Sequence, residues 1–166
     1  LGVITAAAEA DLSGIDADTF TVDLNSYDDG AGEATISSIA DGSDLEVLGD
    51  TAATGDILNL EGAGSSASIT ISLADEGNDV TGTISVSRAE ALTIDTTSGD
   101  TDGDGTAATQ AHDIDDLQTS SSVETVNVTG EDNLTISTAL DNDVTTLGFS
   151  GFEGTFIGEV GTAGVT

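Results

Sequence analysis

The chain has 166 residues, with 32 Asp and Glu against a single basic residue, for a formal net charge of −31. That balance excludes nucleic acid and anionic membrane as electrostatic partners, since both are bound through basic patches. Cys, Met, Trp and Pro are all absent, which excludes a disulfide framework and thiol chemistry.

Having no Met, and Leu1 first, the chain is expected to be a processed product or a segment of something longer. Hydrophobic residues make up 37% but aromatics only 3%, so a core must be built from Val, Ile, Leu, Ala and Thr. At this length one domain can bury such a core, and no linker or composition shift divides residues 1–166. No apolar run is long enough to span a bilayer, and no basic n-region of a signal peptide is present.

In chain order, residues 6–11 read as the one short helical piece. From there on, apolar peaks alternate with turns. Phe20-Val22-Leu24, Ile36-Ile39, Leu45-Val47-Leu48, Ile57-Leu58-Leu60, Ile69-Ile71-Leu73, Ile84-Val86 and Leu92-Ile94 are separated by Gly, Ser, Asn and Asp. Peaks such as Phe20-Val22-Leu24, Ile69-Ile71-Leu73 and Leu92-Ile94 have the period-2 alternation of a half-buried strand. The stretch 123–149 shows the unit most clearly. Val126 and Val128 point one way, and Thr125, Asn127 and Thr129 the other. Leu134 with Ile136, and Leu147 with Phe149, repeat the pattern after the acidic turns Gly130-Glu131-Asp132-Asn133 and Asp141-Asn142-Asp143.

Apolar positions recur about every 21 residues, through Ile71, Leu92, Ile114, Leu134 and Phe156, and through Ile15, Ile36, Leu58 and Val80. Val126 and Leu147 have the same spacing, and the register fails near Gly105. Such a period suits the stacked coils of a parallel β-helix. The fold expected is therefore all-β, a parallel β-helix with short strands and acidic turns, with a β-sandwich as the alternative. No Lys guards its edges.

A compact body at −31 repels itself, and the remedies are bound cations or concentrated salt. The sharpest cation motif is Asp100-Thr101-Asp102-Gly103-Asp104-Gly105-Thr106. Carboxylates two residues apart converge in a tight turn that Gly permits, as in the first half of a D-x-[DN]-x-[DN]-G calcium loop. The twelfth position is Ala111 instead of a bidentate Glu, so this is not an EF-hand. Completion by Asp113, Asp115 or Asp116 is expected instead. Asp28 with Asp29, Asp75 with Asp79, Glu131 with Asp132, and Asp141 with Asp143 are further candidate calcium ligands.

His112 and Arg88 are single, and His112 lies in an acidic stretch where it reads as incidental. No G-x-S-x-G motif supports nucleophilic catalysis. Paired carboxylates could in principle hydrolyse glycosides, but one Tyr and no Trp offer few sugar platforms. No enzymatic activity is expected. The Asn-x-Thr triplets at Asn127 and Asn133 sit where strand alternation already calls for Thr.

Residues 89–94, 122–129 and 144–152 resemble the calcium-dependent, type I-secreted surface-layer proteins of Gram-negative bacteria and the large adhesins related to them. The likeness lies in Thr-, Ala- and Gly-rich strand phrasing. It implies β-helical coils, Ca2+ between them and assembly into a two-dimensional lattice. The GGxGxDxUx nonapeptides of such proteins' secretion ends are missing. The function expected is an extracellular, self-assembling cell-surface layer, with a Ca2+-dependent adhesin or filament subunit as the alternative. Its partners would be further copies of itself and cell-surface polysaccharide.

Overall fold

The computed structural model describes residues 2–5, 9–15, 18–23, 33–48, 57–73, 79–97 and 110–160. All regular structure among them is strand, and the strands fall into two seven-stranded sheets. The first sheet contains β1 (Gly2–Thr5), β3 (Thr19–Asp23), β5 (Ser43–Leu48), β7 (Ser68–Leu73), β9 (Ala91–Asp95), β11 (Thr125–Thr129) and β13 (Thr146–Gly148). The second contains β2 (Glu9–Asp11), β4 (Glu33–Ile39), β6 (Ile57–Gly62), β8 (Asp79–Ser87), β10 (Ala111–Thr119), β12 (Asn133–Leu140) and β14 (Phe156–Val160).

Successive strands alternate between the sheets and every pairing is parallel. This is a parallel β-solenoid, in which each coil adds one strand to each sheet. The expected β-helix is what forms, and the antiparallel pairing of a β-sandwich is absent from the described strands. Residues Glu9–Asp11, expected as part of a short helix, are strand β2. They are drawn into the sheet by pairing with β4. No described helix is long and apolar enough to cross a membrane.

Alternation along each strand becomes columns through the stack. In the first sheet Leu45, Ile71, Ile94 and Val128 face one another in turn, as do Ile69, Leu92, Val126 and Leu147. In the second, Leu58, Ile84 and Leu117 form one column, and Val80, Ile114 and Ile136 another. The inward residues of both sheets join in one continuous core. Each fully buried Leu or Ile contributes about 1.5–3 kcal/mol through the water it sheds. In the final coil Phe152 and Phe156 pack partly buried against the end of the core, with the exposed Phe149 beside them. Phe149 lies 5.9 Å from Phe152 and 5.2 Å from Phe156, ring centre to ring centre.

The repeat is less regular than a period near 21. Val126 does face Leu147, and Leu134 does face Phe156. Earlier in the chain, however, Ile71 faces Ile94 and Leu58 faces Ile84. Leu92 and Ile114 belong to different sheets altogether. The longest coil brings Ile94 against Val128 and Ile84 against Leu117, and it contains the Gly105 region where the periodicity breaks.

Outward positions explain how so acidic a body stacks. One row across the first sheet reads Thr21, Glu46, Ser72, Asp95, Thr129, and its neighbour reads Thr19, Asp44, Thr70, Thr93, Asn127. Carboxylates in these rows face hydroxyl or amide residues in the adjoining coil. Thr21 donates to Glu46 at 2.9 Å and Ser72 to Asp44 at 2.7 Å. In the second sheet Asn59 donates to Glu33 at 2.8 Å and Thr83 to Asp116 at 3.0 Å. Like charges placed directly opposite destabilise a sheet. Skipping one strand sets Glu46 and Asp95 roughly 9.6 Å apart by backbone spacing, comparable to the ~8 Å Debye length of physiological salt.

Candidate functional site

Of the candidate ligands, Asp28, Asp29, Asp75, Asp100, Asp102, Asp104 and Thr106 lie outside the described residues. The others are scattered. Asp141 and Asp143 are exposed on the turn after β12, where the Asp141 carboxylate accepts the Asp143 amide at 3.2 Å, an Asx turn that stabilises the bend. Asp115 and Glu131 are exposed. Asp116 accepts from both Thr83 and Gln118. Among the described residues no three His, Asp or Glu side chains converge as a group able to hold a metal ion.

Asp113 is the described position that best suits a cation. Its Oδ1 is buried with no hydrogen-bond partner. By backbone register its ladder neighbour on β8 is Asp79, the one pairing of two acids in the described ladders, although the Asp79 side chain itself lies outside the described residues. One described carboxylate does not complete a coordination shell, so further ligands would have to come from the neighbouring residues or from water.

Beside Asp113 lies an arrangement that local sequence does not signal. Strand alternation sends His112 inward, in a column with Leu134, and leaves it 1% exposed. Its Nε2 lies 3.5 Å from Asp132 Oδ2, and Asp132 is itself only 3% exposed. His112 is therefore a core residue and not an incidental loop residue. Asp132, grouped with Glu131 by sequence, is separated from it by burial. Asp132 Oδ1 accepts the Gln110 amide at 2.7 Å, and its carbonyl accepts the Thr96 hydroxyl at 3.2 Å.

Burial pushes the His112 imidazole below its ordinary value of 6.5, while the hydrogen bond and the charge of Asp132 pull it upward. With the net shift downward, the unfolded chain binds a proton before the folded one. The stability this group contributes is thus fully present above pH 6.5 and is lost as pH falls from there through the depressed folded value. His112→Gln is expected to flatten the difference in unfolding free energy between pH 7 and mildly acidic pH, as read from urea titrations of both proteins. Parallel pH profiles would contradict the assignment.

Comparison with protein-family models, with curated proteins and with solved structures finds no match to this chain.

Proposed function

We propose that the protein is a structural module of an extracellular self-assembled surface layer, in which Ca2+ stabilises both the fold and the contacts between copies. The observation that carries this reading is the solenoid itself. Among the described strands its ladders run through two continuous parallel sheets and end at β1 and β2 on one side and at β13 and β14 on the other, whose outer edges pair with no other described strand. An added coil, from a longer chain or from another copy, continues both ladders in the same polarity. Structural calcium is supported by the Asp79–Asp113 position and by the Asp100–Thr106 motif. On this reading the chain is not an enzyme. A calcium-dependent adhesin or filament subunit built on the same solenoid is the second reading, favoured by Phe149 and Ile157, which stand 42% and 60% exposed on the last coil.

Assembly is expected to be switched on by calcium. Neighbours at −31 each repel unless ions bridge facing carboxylates, and sodium chloride only screens. Light scattering through a calcium titration should rise at concentrations where an equal ionic strength of sodium chloride leaves the protein dispersed. Persistence of the monomer at high protein concentration in millimolar calcium would sink the layer reading.

A further inference from the structure

We infer that Asp132 is a positioning residue that fixes both ends of the connection between β9 and β10, the segment carrying Asp100, Asp102 and Asp104. In the longest coil of the stack β9 ends at Asp95 and β10 begins at Ala111. The leaving end is held at Thr96, which is fully buried. Its amide donates to the Thr129 carbonyl at 3.0 Å, and its hydroxyl donates to the carbonyls of Thr129 at 3.0 Å and Asp132 at 3.2 Å. The returning end is held at Gln110, whose amide donates to Asp132 Oδ1 at 2.7 Å and whose carbonyl accepts the Asn133 amide at 2.9 Å. One residue of the next coil thus bonds to both ends, through its carbonyl on one side and its carboxylate on the other.

Asp132 is in turn held from behind. Its second carboxylate oxygen faces His112, and Gly154 packs against its carbonyl so closely that a Cβ there would collide with it. Gly130, two residues earlier, leaves the space that Thr96 and Thr97 occupy. The ends of the acidic segment are therefore set by the solenoid before any ion binds. Fixing a segment's ends in advance lowers the ordering cost of binding. The effect on a hard divalent cation rests on the calcium reading above; the clasp itself does not.

The test uses the whole chain with Asp132→Ala, Asp132→Asn and Thr96→Val. Asn keeps an oxygen for the Gln110 amide, and its NH2 can donate toward His112. Amide exchange in chelator should quicken about tenfold at Gln110 and the first residues of β10 in Asp132→Ala, the scale set by losing a charge-assisted hydrogen bond, with β4 to β7 unchanged. Asp132→Asn should stay close to the parent. If Asp132→Ala does not fold, Thr96→Val decides, since it removes the hydroxyl tie at nearly constant volume. Unchanged exchange at Gln110 in folded Asp132→Ala, or at Thr96 and Thr97 in Thr96→Val, overturns the clasp. Calcium titration calorimetry then separates positioning from ligation. Positioning predicts an affinity loss of about 10–100-fold in Asp132→Ala and rescue by Asn. Equal loss in both variants would overturn the assignment by making Asp132 a ligand. If the parent binds no calcium, the function proposed above fails, while the exchange experiment still decides the clasp.

Discussion

Gly130→Ala is expected to be among the most damaging single substitutions in the chain. Gly130 has φ of +102°, outside the region that L-residues adopt comfortably. A Cβ there would lie 2.7 Å from the Thr96 carbonyl carbon, the Thr96 Oγ1 and the Thr97 amide nitrogen. Two of those three atoms are backbone, and Thr96 is pinned by Thr129 and Asp132, so the neighbour cannot give way cheaply. Backbone strain of about 1–3 kcal/mol is joined by this collision, for a total loss of roughly 2–4 kcal/mol. In a protein of this size that lowers the melting temperature by about 4–16 °C. Gly42→Ala is the control, because its φ of +78° is also positive but no atom lies within 4 Å of the added Cβ. It should cost about 1–2 kcal/mol, the ordinary cost of an L-residue in the left-handed region. Equal losses in the two variants would show that close contact at the Thr96 corner contributes nothing.

That corner also marks where sequence reasoning reaches its limit. Strand alternation is a local property, so Thr125–Thr129 was readable residue by residue, as were the inward Leu134 and Ile136. The coil length was not. Each coil carries two strands, so apolar peaks recur twice per turn, and a chain of evenly spaced peaks can step from one sheet to the other, as it does between Leu92 and Ile114. Connections of unequal length then set the true register. Among the described ladders the spacing of 21 holds only where β11 faces β13, with 22 between β10 and β12 and at Leu134 and Phe156.

His112 illustrates the same point at the site. Its flanking acids suggested a solvated loop, although the alternation of His112 and Ile114 with Asp113 and Asp115 already carried a strand signal. Asp132 carried no such signal. Its burial depends on Thr96, Gln110 and His112, all at least 20 residues away along the chain. The offset of carboxylates against hydroxyls is likewise a property of register: Glu46 meets Thr21 and Ser72 only once coils of a particular length are stacked.

Thermal unfolding in calcium and in chelator, at one ionic strength, tests most directly whether divalent ions hold this acidic solenoid together. The carboxylates facing hydroxyls across the sheets need no ion, since neighbouring coils already satisfy them and ordinary salt screens them. Calcium stabilisation should therefore come from a few positions, Asp113 with Asp79 and the Asp100–Thr106 segment first among them. Each site adds about 2.7 kcal/mol when calcium exceeds its dissociation constant a hundredfold, which raises the melting temperature by roughly 5–11 °C per site in a protein of this size. The account predicts a melting temperature in millimolar calcium higher than in chelator by at least one such increment, with 0.15 M sodium chloride unable to replace it. Coincident melting curves in calcium and chelator would contradict it.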